Sequence, residues 1–285
     1  QYSSVITTGI NYPDGNGGVI NGAFPKYFAN PDIHWEETAM TNVGIDFLAL
    51  GNRLSLTADW YVKNTKDILL QVPIPISTGA ANDPVKNAGK IRNKGFEFNL
   101  GWNDHPTKDI RYSVNLIGTF NKNEVVEMGN ESQSITGGTI HGGTWTTKTL
   151  AGYPIGGFWL IETDGYFNSD AEAQNYKSSS GKVIQPSAVA GDIRFKDVND
   201  DGVIDDNDRV YCGSPFPKFT YSVNGTFAYK NLDVALTLQG VAGNKIYNAT
   251  RLQLTDVTNG GNKLREVLDY WTPQNTNASV PRLTA

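Results

Sequence analysis

Between Asp197 and Asp208 the chain reads Asp-Val-Asn-Asp-Asp-Gly-Val-Ile-Asp-Asp-Asn-Asp, with oxygen-bearing residues at positions one, three, five, nine and twelve and glycine at six. That spacing is the one a twelve-residue calcium loop uses. The run holds six carboxylates, which repel one another, so a compact turn calls for a cation, and an oxygen-only donor set favours calcium over zinc or copper. In this reading Asp197, Asn199 and Asp201 bind through their side chains, Val203 through its carbonyl and Asp208 through its carboxylate. Asp205 acts through a water, and Gly202 permits the sharp turn. The competing reading is a solvated acidic turn. A calcium sensor needs a helix on each side, yet Gly191 to Lys196 alternates like a strand, and Gly213, Pro215 and Pro217 follow too soon for a helix. The site therefore reads as a structural clip in a long connection, binding in the ~0.1 to 1 mM range of extracellular modules.

Other chemistry is sparse. His34, His105 and His141 are scattered, no Gly-x-Ser-x-Gly occurs, and Ser178-Ser-Ser-Gly-Lys182 runs into Val183, which breaks a phosphate-loop pattern. Adjacent Glu36 and Glu37 would face opposite sides of a strand, a poor pair for glycoside hydrolysis. No catalytic residue is expected. Cys212 is alone, which rules out an internal disulfide, and no basic stretch interleaves with aromatics as nucleic-acid binding would require. Trp145, Tyr153, Phe158, Trp159, Tyr166 and Phe167 crowd a glycine-rich region. They are suited to stacking on sugar rings, to packing against a partner, or to forming the region's own small core.

The elements that must position these residues are strands. The net charge is −5, and the chain is rich in glycine, with no apolar run long enough for a membrane helix. Its dominant hydrophobic period is two. Leu54, Leu56, Ala58, Trp60 and Val62 make one face, while Arg53, Ser55, Thr57, Asp59, Tyr61 and Lys63 make the other. The same division predicts strands over 43–50, 53–63, 94–102, 110–120, 219–229 and 232–240. Short connections alternate strictly with long ones, so the short turns gather at one end of the sheet and the long loops, including 121–217, at the other. Strands of roughly 9 to 11 residues, aromatics near their ends and this loop asymmetry describe an all-β fold, an antiparallel transmembrane β-barrel segment with long extracellular loops. Polar lumen-facing candidates are Asp59, Lys63, Glu97, Arg111, Asn115, Asp233 and Gln239. A soluble sandwich alternates in the same way, which keeps open a secreted, calcium-stabilised carbohydrate-binding module.

Asn30-Pro-Asp-Ile-His-Trp-Glu-Glu-Thr38, Thr41-Asn-Val-Gly-Ile-Asp46 and Asn93-Lys-Gly-Phe-Glu-Phe98 carry a family resemblance, continued by Gly152-Tyr-Pro-Ile-Gly156, the stretch from Gly191 through Arg209, and Tyr270-Trp-Thr-Pro273. In this collinear order the chain resembles the SusC/RagA family of TonB-dependent outer-membrane transporters of Bacteroidota. The resemblance implies a barrel of about 22 strands, of which this piece would supply about eight. It also implies a plug energised through TonB, a SusD-like lipoprotein lid, and glycan uptake, with peptides as the other cargo. None of the plug or TonB segment is recognised here, so the piece is expected to work with the remainder of its own polypeptide and with outer-membrane lipid.

Overall fold

The computed structural model describes residues 5–13, 15, 17–71, 82, 84–129, 134–139, 144–258 and 260–283. The chain divides into two compact units, one built from Gln1–Ile135, Thr149–Ile155 and Phe216–Asn244, the other from Thr136–Lys148, Gly156–Pro215 and Lys245–Ala285. No helix among the described residues is long and apolar enough to cross a membrane, which says nothing about crossing by strands.

The first unit opens with a hairpin of β1 (Val5–Pro13) and β2 (Val19–Tyr27) that the sequence reading did not identify. Its main body is a six-stranded antiparallel sheet. In it β3 (Glu37–Ala49) pairs with β4 (Leu54–Lys66), and β4 pairs with β7 (Lys90–Thr107) after a small ladder of β5 (Leu69–Gln71) and β6 (Val85–Asn87). Further along, β7 pairs with β8 (Ile110–Glu127), β8 with β15 (Phe219–Tyr229) and β15 with β16 (Leu232–Ala242). The order in the sheet is thus the order in the chain, apart from the excursions. All six expected strands form. Five of them extend beyond their expected bounds, because polar pairs such as Asn93 with Asn123 continue the ladders past the point where apolar alternation stops. The expected loop 121–217 accordingly gives up its first seven residues to β8. His105 lies in β7.

Register shows why this sequence makes a wall with two chemistries. Facing residues share a side of the sheet, and Phe47, Leu56, Leu100, Leu116, Val223 and Leu238 form one apolar row across all six strands. Trp60, Phe96, Phe120 and Phe219 form an aromatic row nearer the long loops, with the Phe120 and Phe219 rings stacked at 4.4 Å. Tyr112 and Phe227 pair eight residues further along their strands, towards the short turns. That separation is about 27 Å at ~3.4 Å per residue, or ~21 Å across a bilayer for strands tilted about 40°, close to the ~25 Å apolar band of outer-membrane barrels.

Among the described residues no second sheet covers this face: Ile45 is 65% exposed and Leu236 60%, where a soluble sandwich would bury such residues between its sheets. Short connections after Ala49, Thr107 and Tyr229 lie together at one end, and residues 67–89 and 128–218 depart from the other. In the first of them Leu50, Gly51 and Asn52 all take positive φ.

The second unit contains β11 (Gly157–Ile161), β12 (Thr163–Tyr166), β13 (Ile193–Phe195) and β14 (Arg209–Gly213), with short helices α1 (Asp170–Asn175) and α2 (Ala249–Thr255). Strands β9 (Ser134–Thr136) and β10 (Thr147–Leu150), which the unit bounds divide, continue the order β14-β11-β10-β9. Its core is Phe167, Ala173 and Ala188, with Tyr176 packed edge-on against Phe167.

Placing a lysine at Leu100, midway between the aromatic rows, should cost about 2 to 4 kcal/mol of folding into lipid vesicles. Lysine at Asn99, on the polar face, should cost far less when the same full-length protein is titrated with denaturant.

Candidate functional site

The polar face of the six-stranded sheet carries Asp59, Lys63, Glu97, Arg111, Asn115, Asp233 and Gln239 on one side, as the sequence alternation requires. Cross-strand hydrogen bonds bind it laterally. Thr57 donates to Asp46 at 2.8 Å, Asn42 to Asp59 at 3.3 Å, and Thr237 to Asn224 at 3.0 Å. The Tyr61 hydroxyl crosses a whole strand to donate to Asn121 at 3.2 Å. It can do so because residue 95 is glycine: a Cβ there would sit 2.6 Å from the Tyr61 oxygen. The result is a hydrated wall of amides, hydroxyls and carboxylates, opposite in chemistry to the apolar face behind it.

In the second unit the run from Asp197 folds into one turn closed by carboxylate-to-amide bonds. Asp197 accepts the amides of Asp201 at 3.2 Å and Gly202 at 2.8 Å, and Asn199 accepts that of Asp201 at 3.1 Å. The Asp201 carboxylate accepts the Val203 amide at 2.9 Å, and Asp205 accepts that of Asn207 at 2.7 Å. Asp208 is fully buried, and its two oxygens take the amides of Val198 and Asp205, both at 2.8 Å. Gly202 has φ +76, with the Lys182 side chain lying across it.

The turn thus brings together every residue expected to bind an ion, but their oxygens are turned to backbone amides. Among the described residues no three carboxylate, imidazole or thiol groups converge at metal-ligand spacing. Backbone amides and neighbouring groups compensate part of the charge of the six carboxylates. Ser179, for instance, donates its backbone amide to Asp200 at 2.8 Å and holds that carboxyl below its ordinary value.

The aromatic candidates separate into distinct roles. Phe167 is fully buried as the core of the second unit and presents no face to a ligand. Tyr153 belongs to the first unit, where its carbonyl accepts the Val125 amide at 2.8 Å. Phe158 lies in β11 opposite Thr147 and Gly213. Burial pushes the Tyr166 phenol up, with Asp269 and Glu266 adding to the shift and Arg251 opposing it.

Trp145 and Trp159 instead join the acidic turn through residues that the sequence reading passed over. Trp145 donates its indole N–H to Asp206 at 3.0 Å, and the Arg209 guanidinium lies 4.2 Å from the centre of its ring. Arg209 also donates to Asp206 at 2.7 Å and to the Trp159 carbonyl at 3.3 Å. Trp159 is tilted against Tyr211 at 5.8 Å, with the Lys148 ammonium 5.7 Å from its ring. Asp206 and Arg209 stand three residues apart at the end of the run, and that spacing was the available signal.

The chain matches the family described as TonB dependent receptor-like, beta-barrel, over residues 1–240. Two TonB-dependent receptors of Formosa agariphila are 31% and 30% identical over 89% and 92% of this chain. TonB-dependent receptor SusC of Bacteroides thetaiotaomicron is 28% identical over 78% of it. The chain spans about a quarter of the length of the first two relatives, 25% and 26%. A solved structure of the RagAB peptide transporter superposes with a TM-score of 0.73 at 22% identity, covering 99% of this chain and 29% of that one, which establishes likeness of fold.

The Arg209 guanidinium holds the Asp206 carboxyl below its ordinary value of 3.8, against partial burial and with help from Trp145 and Lys148. A depressed folded-state pKa gives stability that is present above the unfolded value and lost as pH falls through the folded one. Asp206→Asn should therefore destabilise the second unit by about 0.5 kcal/mol at neutral pH, the worth of a pair screened by solvent on its exposed carboxylate side. Limited proteolysis of that unit should show the difference shrinking as pH drops below 3.8.

Proposed function

The chain belongs to the TonB dependent receptor-like β-barrel family, and from that premise we propose that it forms a stretch of barrel wall in a SusC/RagA-like outer-membrane importer. The family is an outer-membrane one, and its members are receptors and transporters rather than enzymes. The observation that carries the proposal is the six-stranded sheet, exposed and apolar on one face between two aromatic rows and polar on the other. In this reading the apolar face meets lipid and the polar face lines the lumen. The short turns are periplasmic and the connections from 67 to 89 and from 128 to 218 are extracellular.

Import is energised through TonB by parts of the polypeptide beyond this chain, and a SusD-like lipoprotein closes the mouth. The cargo is an oligosaccharide, a class suited to a wall of hydroxyls, amides and carboxylates. The full-length protein purified with its lipoprotein and titrated against glycan and peptide panels should bind a glycan. Exclusive binding of peptides would overturn the cargo, and loss of neither substrate's uptake on deleting the gene would overturn the transporter.

For the turn at 197–208 the proposed ligand is calcium. The donor set fits a hard cation, being wholly oxygen and gathered on one turn. Asp197, Asn199, Asp201, Asp208 and the Val203 carbonyl would hold it, with Asp205 acting through water. Bound there, the ion would supply positive charge to a crowded carboxylate cluster and stiffen the connection that carries Trp145 and Trp159. Removing calcium with a chelator, or Asp201→Ala, should raise protease cleavage within residues 136–215 while the barrel strands stay protected. Equal cleavage with and without calcium would remove the ion from this account.

A further inference from the structure

Beyond the aromatic row of Trp60, Phe96, Phe120 and Phe219, the same face of the sheet changes character within one register step. Val62 is followed across the strands by Lys94 and Lys122, the next row is Asn64, Arg92 and Glu124, and the next is Lys66 and Lys90. Glu37 stands opposite Lys66, and Glu127 opposite Lys90. Five cations thus face three carboxylates on a chain whose net charge is −5.

The carboxylates leave part of that charge unspent. Glu37 pairs with Lys66 at 2.8 Å and Glu124 with Lys122 at 3.0 Å. Arg92 donates from Nε to Asn64 at 2.9 Å, which leaves its terminal nitrogens as further donors. Lys90 and Lys94 have no carboxylate at salt-bridge distance among the described residues. Glu37, Thr38, Ala39, Asn64, Lys66, Lys90 and Arg92 line a recess of about 290 Å³ on this face. Rows of one face repeat every two residues, so these side chains stand about 7 to 20 Å along the strands beyond the aromatic row. For strands tilted about 40° that is about 5 to 15 Å above the aromatic row, so Lys94 stands within the headgroup layer and the long stems of Arg92 and Lys90 reach back towards it when that row marks the edge of the hydrocarbon.

We propose that this recess is a binding site for the phosphate of an anionic lipid headgroup, held by Lys90 and Arg92, which line it, and by Lys94, the next residue along the same face of β7. The inference rests on the membrane placement proposed above, and charge complementarity selects the occupant. A phosphate offers several acceptor oxygens to a guanidinium and two ammonium groups, and it stays attached to the hydrocarbon that the adjoining apolar rows already contact. The neighbouring Glu37 and Asn64 give the site polar groups for the rest of a headgroup. The polar face has nothing similar at this level, where Lys63 stands opposite Met40 and Asn93.

The test uses the full-length protein extracted in detergent and titrated with a short-chain phosphatidylglycerol, bound lipid being counted by native mass spectrometry. Replacing Lys90, Arg92 and Lys94 together by Gln should lower lipid retention by at least about fivefold, given the attraction each cation adds near an anionic headgroup. Lys90→Arg with Lys94→Arg should retain it, as should Lys63→Gln on the polar face. If the triple variant fails to fold, Lys94→Gln alone should still lower retention and raise its sensitivity to salt. Equal retention in wild type and the Gln variants overturns the site. Displacement of the lipid by equimolar inorganic phosphate also overturns it, by showing a free-anion site instead. A protein recovered without detergent from the soluble fraction removes the membrane placement and this inference together. A membrane-extracted protein that holds no phosphatidylglycerol removes the headgroup site alone.

Discussion

A strand in hydrocarbon has no water to satisfy its backbone, so every amide and carbonyl must be bonded to a neighbouring strand. That constraint organises the first unit. It accounts for hairpins laid down in chain order, for ladders such as the one that runs in register over all 13 residues of β3, from Glu37–Lys66 to Ala49–Leu54, and for turns at one end short enough to keep successive strands adjacent. Once register is fixed, side-chain direction is fixed with it. Period-two alternation then becomes two continuous surfaces instead of six separate patterns. The glycine at 95 belongs to the same logic, since it lets one tyrosine stitch across three strands without disturbing the ladder beneath it.

Most of this was legible before any coordinates. Strand 219–229 was placed residue for residue, and the two-faced division of Leu54 to Lys63 survived intact. What the alternation could not reveal were the strand ends. Beyond Phe120 the residues Asn121, Lys122, Asn123 and Glu124 look like loop because a strand that has left the hydrocarbon no longer needs an apolar side. The hairpin of β1 and β2 was missed for a related reason, being rich in glycine and weak in alternation over Thr7 to Asn11 and Gly18 to Gly22.

The second unit was read more unevenly. Spacing correctly gathered Asp197, Asn199, Asp201, Asp205 and Asp208 into one turn, but periodicity says nothing about where a carboxylate points. Aromatic richness flagged six residues without separating a core ring, Phe167, from rings held at the surface by a guanidinium. Contacts between residues distant in sequence made that separation: Tyr176 and Ala188 around Phe167, and Asp206 and Arg209 around Trp145. Asp206 occupies a position in the run that the ion-binding reading does not assign, and it links the turn to Trp145 directly and to Trp159 through Arg209.

The second unit is assembled from pieces of chain that lie on either side of the β15–β16 hairpin. Asp192 pairs with Arg282 at 2.6 Å, the Arg282 amide donates to Gly191, and the Lys245 amide donates to Ser214. The unit is therefore not a cassette that recombination could lift out of one gene and drop into another at a single junction. A transplant of 136–215 alone would arrive without the Trp271 and Val280 that are buried in its interior. Diversity in this part of the molecule should thus arise by substitution within both pieces in concert, and hybrids between relatives should tolerate crossovers before residue 136 better than crossovers inside the hairpin.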